Sequence, residues 1–160
     1  MTTQSTETLS LPAIQIKQGE NRHIYIFGID GKRLPEIATV SRVRRNEKGK
    51  VAGYQRPEVL AHVAEIRRYL ESENPMLPNA LVIAFNDQVT FTPLPVETNG
   101  ASDYAVVGTL NIPIDPTVPE EDKPGWIVDG QQRTAAIREA DLTSFPVSAV
   151  GFITKNVEEQ

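Results

Sequence analysis

The chain of 160 residues is long enough for one domain with a hydrophobic core, and its net charge of −5 shows that it is not basic overall. It has no cysteine, which excludes disulfides, thiol nucleophiles and cysteine-based zinc sites. No apolar run reaches the roughly 18 residues of a membrane-spanning helix, and the polar start MTTQSTETLS lacks the layout of a signal peptide. These features predict a cytoplasmic protein without a membrane partner.

The first predicted elements are two strands near the N-terminus. Residues 1–9 are predicted to be a disordered lead-in, although LSLPAIQI at 9–16 already has the pattern of a short strand. HIYIFGI at 23–29 is richer in branched and aromatic residues and predicts a second strand. Apolar residues then recur at helical spacing over 34–43, before a polar stretch that is typical of a solvated loop.

That polar stretch holds an unusual concentration of positive charge. Residues 42–56 contain six basic residues against Glu47 alone, whereas residues 115–160 contain nine acidic residues against four basic ones. This asymmetry would let a polyanion bind on one side of an acidic protein. The predicted DNA-binding residues are Arg42, Arg44, Arg45, Lys48 and Lys50. The alternative interpretation is a solvated loop.

The clearest helix is predicted over residues 57–73. Pro57 suits its first turn, and Asn74-Pro75 ends it. Its apolar stripe consists of Val59, Val63, Ile66 and Leu70. Gln55 and Arg56 precede this helix directly, so they are predicted to bind an anion at its start. The alternative is that Arg56 is merely solvated.

The second half of the chain predicts further strands and one more helix. ALVIAF at 80–85 is a continuous apolar run typical of a buried strand, and VTFTPL at 89–94 alternates like its hairpin partner. Three more strands are predicted at 104–114, 126–128 and 145–153, and a helix over 131–141 presents Ala136, Ile137 and Ala140 inward. Strands separated by two main helices predict one compact α+β domain with a mixed sheet.

The segment GWIVDGQQRTAAI at 125–137 places a polar cluster between a strand and a helix. The first N–H groups of a helix have no partner within it and carry the positive end of its dipole, which favours phosphate binding. Gly130 allows a ligand to approach the backbone, and Arg133 can bind two phosphate oxygens. The further predicted phosphate ligands are Gln131, Gln132 and Thr134. The alternative is an ordinary Asp-Gly turn before a polar first helical turn.

Asp129 does not fit a phosphate site so simply, because its charge would repel the ligand. It would have to bind Mg²⁺, cap the helix, or form an ion pair with Arg133. We predict it as the catalytic residue, since the chain offers no other clear base for hydrolysis. The segment is not a Walker loop, because the glycine-rich lead and the Lys-Ser/Thr pair are missing.

The ordered motifs LPA, GYQR, PNA and DGQQR resemble those of the DGQHR-domain family. This family includes DndB-like proteins of DNA phosphorothioation and DpdB-like proteins of deazapurine DNA modification. The resemblance covers residues 10–153 and implies a ParB/sulfiredoxin-like fold, in which a G-x-x-R-type motif at a helix start binds nucleotide phosphates. Gly130 and Arg133 occupy the matching positions. Gln132 replaces the histidine of the family motif, so any acid or base role of that histidine is in doubt.

The resemblance also implies a role in bacterial DNA modification, with DNA and other proteins of a modification gene cluster as partners. ATP, or another NTP, with Mg²⁺ is the implied cofactor. Family members are usually longer, so the domain over 10–155 is expected to be the N-terminal part of a longer protein or a shortened version of one. The oligomeric state stays open.

Three functions compete at this point. The first is a nucleotide-binding component of a DNA modification system, in which Arg56 and Arg133 clamp phosphates and NTP hydrolysis is left open. The second is a non-catalytic DNA-binding transcriptional regulator of such a system. The third is a ParB-like nuclease, which would need carboxylates such as Asp103, Asp115 and Asp129 to converge on a metal.

Overall fold

Eight strands form one mixed sheet in the computed structural model, which describes residues 7–39, 57–101 and 103–154. In chain order they are β1 (Glu7–Gly19), β2 (Arg22–Asp30), β3 (Ala38–Thr39), β4 (Leu81–Phe85), β5 (Thr90–Pro93), β6 (Ala105–Ile114), β7 (Gly125–Asp129) and β8 (Pro146–Ile153). Their order across the sheet is β3-β7-β4-β8-β2-β1-β6-β5. The β3–β7 and β4–β8 pairs are parallel, and the other neighbours are antiparallel.

Three α-helices accompany the sheet in the described part of the chain: α1 (Leu34–Ile37), α2 (Pro57–Leu70) and α3 (Gln131–Glu139). Helix α2 begins at Pro57, as predicted, but it ends three residues before the predicted end at 73. At Ser72 the α-helical hydrogen-bond pattern gives way to a 3-10 bond, in which the N–H of Ser72 donates to the carbonyl of Tyr69. Asn74 then has a left-handed φ of 56°, which ends the helical path of the chain. None of the helices described here is long and apolar enough to cross a membrane.

Two sequence-based predictions of strand position need correction. Residues 7–9 were expected in a disordered lead-in, but β1 begins at Glu7, which pairs with Ile114 of β6. Residues 1–6 lie outside the described ranges. β5 is not the hairpin partner of β4, because it pairs with β6 instead. Hydrogen bonds between polar side chains favour the pairing of β5 with β6. The amide of Asn111 on β6 donates to the hydroxyls of Thr90 and Thr92 on β5 at 3.3 and 2.9 Å.

The helical spacing over 34–43 is realised only in part. Helix α1 is one turn long, and Ala38 and Thr39 then pair with Gly125 and Trp126 of β7. Pairing with a neighbouring strand therefore overrides the local pattern at this point. Residues 40–56 lie outside the described ranges.

The hydrophobic core lies on the inner face of the sheet, where α1, α2 and α3 pack. Alternate residues of the long strands point into it, including Phe27, Leu110, Ile112 and Ala149, and the helices add Ile37, Leu70 and Ile137. Helix α1 contacts β6 as well as the adjacent β3, although these strands lie near opposite edges of the sheet. The sheet is therefore curled around its core.

Helices α2 and α3 pack against each other. Their C-terminal ends meet where the N–H of Asp141, just past α3, donates to the Glu71 carboxylate, just past α2, at 2.8 Å. The C-terminal carbonyls of α3 are also bound by Lys32, whose Nζ lies 2.7 Å from the oxygen of Ala140 and 3.2 Å from that of Arg138.

Candidate functional site

The polar junction between β7 and α3 is formed by a left-handed glycine. Gly130 is the N-cap residue of α3, with φ 100° and ψ 21°. A Cβ atom at this position would lie 2.4 Å from the Cδ2 atom of Leu81, so a side chain is excluded both by conformation and by space. The carbonyl of Gly130 accepts the first bond of the helix, from the N–H of Thr134 at 2.9 Å. Glycine is thus required at the turn.

The amide groups of the first helical turn are not capped. Gly130 has no side chain that could accept from them, and no side-chain cap is present. Within the described residues, the N–H groups of Gln131, Gln132 and Arg133 have no hydrogen-bond acceptor. Because these groups carry the positive end of the helix dipole, they can bind an anion at this end of α3.

The guanidinium group of Arg133 is held beside these amides. Its Nη1 atom donates to the carbonyl of Asn79 at 2.7 Å, in the loop before β4. Its Nη2 atom lies 3.2 Å from the Cβ position of Gly130, so the side chain folds back over the turn. Among the described residues, Arg133 forms no ion pair. Since arginine has five N–H donors, several remain for a ligand.

Two of the predicted phosphate ligands form hydrogen bonds within the protein. The Nε2 atom of Gln131 donates to the carbonyls of Ile127 and Val128 at 3.2 and 3.0 Å, along the edge of β7. The hydroxyl of Thr134 donates to the carbonyl of Gly130 at 2.9 Å, and this residue is only 1% exposed. Gln131 and Thr134 therefore help to shape the junction, and their contact with a phosphate stays a prediction.

Asp129 and Gln132 remain open to a ligand. Asp129 is exposed at the end of β7, and its carboxylate has no hydrogen bond or ion pair among the described residues. It therefore neither caps α3 nor pairs with Arg133, which leaves a metal as the untested alternative of the three. Gln132 is half-buried, and its side chain has no partner in the described part of the chain.

The carboxylates of the nuclease hypothesis do not converge. Asp103 precedes β6 and Asp115 follows it, so the ten residues of this extended strand separate them. Throughout residues 7–39, 57–101 and 103–154, no group of three or more metal-ligating side chains is present.

The remaining predicted site residues lie outside the described ranges. They are Gln55, Arg56, Arg42, Arg44, Arg45, Lys48 and Lys50. The clamp between Arg56 and Arg133 and the DNA-binding cluster therefore stay predictions.

A separate cleft of about 830 Å³ opens at the other end of β7. Its walls include the carboxylates of Glu36, Asp115, Glu121 and Asp122 together with Lys123 and Trp126. Hydrogen bonds from the hydroxyl and backbone N–H of Thr117 lower the pKa of Asp115 from its ordinary value. Lys123 is already paired with Glu120 at 2.9 Å. This acidic cleft is unsuited to phosphate, in contrast to the start of α3.

Sequence reasoning missed the groups that orient Arg133 and shape the turn. Asn79 contributes a backbone carbonyl and Leu81 a methyl group, and neither function leaves a signature in residue type. The pattern PNA, which precedes β4, was the one available indication that this loop matters.

The fold and the junction define a single-domain α+β protein in which a glycine turn presents uncapped helix amides and an arginine. The family model DndB, described as DNA-sulfur modification-associated, matches residues 11–160, and the chain belongs to this family. The DndB-like character predicted from the motifs is thereby confirmed. No curated protein and no solved structure gave a significant match. The ParB/sulfiredoxin-like fold accordingly stays a prediction.

Proposed function

We propose that the DGQQR junction binds the phosphates of a nucleoside triphosphate, and that the protein uses this nucleotide within a DNA sulfur-modification system. The observation that supports the proposal is the uncapped first turn of α3 beside an arginine that forms no ion pair in the described structure. The helix amides and Arg133 would bind phosphate oxygens, Gly130 would admit them, and Gln132 would add a donor. Asp129 would hold Mg²⁺ at the edge of this site.

Charge favours this end of α3 over the acidic cleft. A helix terminus contributes about 0.3–1 kcal/mol toward an anion, and a hydrogen bond to a charged partner contributes about 1.5–3 kcal/mol. Arg133 is thus expected to supply the largest single contribution. Its bond to Asn79 fixes the guanidinium in advance, so less conformational entropy is lost when a phosphate binds.

Titration of the full chain with ATP, GTP and CTP in the presence of Mg²⁺ tests the proposal. We expect Arg133→Ala to weaken binding by roughly 10- to 100-fold, the equivalent of a lost charge-assisted hydrogen bond. Arg138→Ala is the matched control, because Arg138 lies exposed on the last turn of the same helix. Equal affinity in the wild type and the Arg133 variant, or no binding of any of the three nucleotides, would contradict the proposal.

Hydrolysis is the second step of the proposal and is tested separately. If Asp129 holds Mg²⁺ or activates water, Asp129→Asn should abolish phosphate release while nucleotide binding changes little. Release that is unchanged in this variant would remove Asp129 from any catalytic role and leave the binding proposal intact.

DNA contact by residues 42–50 is a second candidate function, supported by the local excess of positive charge and by the family's link to DNA modification. Binding of this kind would weaken steeply with salt, because it releases counterions from the DNA backbone. The double variant Arg44→Glu, Arg45→Glu should then lose affinity for duplex DNA of any sequence. Unchanged affinity would exclude the cluster as a DNA contact.

A further inference from the structure

An apolar stripe crosses the outer face of the sheet, opposite the helices. Register places one residue from each of five adjacent strands side by side, and Leu94, directly after β5, continues the line with an N–H bond of 2.8 Å to the carbonyl of Val107. In spatial order the outer stripe consists of Leu94, Val107, Ile14, Ile26, Val150 and Val82.

The outer stripe is open to solvent along much of its length. Leu94 is 47% exposed, Ile14 39%, and Ile26 and Val107 37% each, whereas Val150 and Val82 are half-buried. The residues that alternate with the stripe, such as Ala13 and Phe27, are buried in the core beneath the helices. A contiguous apolar strip of this kind on an otherwise hydrophilic protein is typical of a surface that another protein covers.

The two rows that flank the stripe carry no charge, whereas at the β7 end of the stripe Val82 pairs with Asp129. The row on one side consists of Thr92, Thr109, Pro12, Gly28 and Ser148, and the row on the other side includes Ala105, Ile16 and Ile24. No residue of these three rows is charged, although charged residues make up 23% of the chain. Phosphate contacts need cationic side chains, so this face does not suit DNA. Depletion of charge around an apolar centre is instead the composition of a protein–protein interface core.

We propose that this face binds the same face of a second copy of the chain, giving a two-fold symmetric dimer. The chain carries a net charge of −5, so two copies repel each other overall. The stripe and its two flanking rows carry no charge and so avoid most of that repulsion. An apolar strip is also complementary to itself, as an isologous interface requires. The two sheets would stack about 10 Å apart with their strands nearly aligned.

The size of the face sets the expected strength of the dimer. The stripe extends about 24 Å across the strands, and the three rows extend about 20 Å along them when side chains are included. The projected area of this footprint is smaller than the roughly 800 Å² of accessible surface that each partner contributes to a standard interface. Its accessible area is larger than its projected area, because the side chains project from the sheet. We therefore expect dissociation in the micromolar range, with the dimer dominant at higher concentration.

Sedimentation velocity on the full chain, from low to high micromolar concentration, tests the proposal. We expect the wild type to shift from monomer to dimer, Ile14→Thr to need about tenfold more protein for the same shift, and Ile14→Glu to stay monomeric. Leu60→Glu is the matched control, because Leu60 is 56% exposed on α2, away from the sheet face, and this variant should dimerise normally. A wild type that is monomeric throughout, or a folded Ile14→Glu variant that still dimerises, would overturn the proposal.

A thiol measurement covers the case in which Ile14→Glu fails to fold. The chain has no native cysteine, so Ile14→Cys carries a single thiol at the centre of the stripe. Its reaction with a maleimide should slow several-fold as protein concentration rises, whereas the thiol of Leu60→Cys should react at a constant rate. Equal behaviour of the two thiols would exclude the outer face as the dimer interface.

Discussion

The backbone conformation of Gly130 and the space around it both exclude residues that have a side chain. Its φ of 100° lies in the left-handed region, and the methyl group of Leu81 occupies the space that a side chain would need. The turn therefore brings α3 directly against the start of β4, with Arg133 folded over it. A single residue type thus determines whether the helix amides and the guanidinium meet on one surface.

We predict that Gly130→Ala lowers the free energy of unfolding by about 2–4 kcal/mol, through backbone strain plus steric overlap. Gly100→Ala separates the two causes, because Gly100 has a φ of 90° but no atom within 4 Å of its Cβ position. That control should cost only about 1–2 kcal/mol. Urea denaturation of both variants measures the difference, and equal losses would show that Leu81 relaxes without penalty.

At the scale of elements, α3 is fixed at its C-terminal end and open at its N-terminal end. Lys32 binds the last carbonyls, and Gly31 packs so closely on Ile137 that a Cβ there would lie 2.9 Å from its Cγ2 atom. Positive charge at the C-terminal end of a helix complements its dipole. The turn that follows β2 thus holds the C-terminal end of α3, and the positive N-terminal end is left for a ligand.

We predict that Lys32→Met, which keeps the length of the side chain but removes its charge, destabilises the fold by about 1 kcal/mol. The loss should shrink in high salt, because the interaction is electrostatic and partly exposed. Lys17→Met is the control, since Lys17 is exposed on β1 and its side chain has no partner among the described residues. Thermal unfolding at two salt concentrations distinguishes the variants, and a salt-independent loss would argue for packing of the lysine stem instead.

At the scale of the whole molecule, the side chain of Phe85 packs between the strands β4, β7 and β8, which position the candidate site. It is fully buried on β4, and its ring lies 6.1 Å from that of Phe27. A Cβ atom on Gly125 of β7 or Gly151 of β8 would come within 2.9 or 2.8 Å of the same ring. One side chain therefore fills the space between β4 and both of its neighbours, including the strand that leads into the junction.

We predict that Phe85→Ala costs about 3–5 kcal/mol, a large part of the 5–15 kcal/mol typical of a domain. Phe91→Ala, at the half-buried contact with Tyr25, should cost less. Gly151→Ala should be destabilising in the wild type but nearly neutral in the Phe85→Ala background, because the ring that it meets is gone. Additive losses in this double-mutant cycle would refute the packing role assigned to Phe85.

Sequence patterns predicted the long strands and both main helices, because period-2 and period-3.6 hydrophobicity reports directly on burial. They failed at β3 and at the pairing of β5, where the contacts come from residues distant in sequence, such as Asn111 with Thr90. At the candidate site, residue types indicated Gly130 and Arg133, and their role in phosphate binding stays a prediction. The orientation of Gln131 toward β7 could not be foreseen, since its amide suits a phosphate and a carbonyl almost equally well.

The loop between α2 and β4 is tied to both ends of α3. Glu71 accepts from the backbone beyond its last turn, and Asn79 accepts from Arg133 in its first turn. A ligand that bound the Nη1 atom of Arg133 would compete with the carbonyl of Asn79. The loop would then lose its hydrogen bond to Arg133 and keep only the one through Glu71. Amide hydrogen exchange in residues 71–80 would then report occupancy of the site from a segment that never touches the ligand.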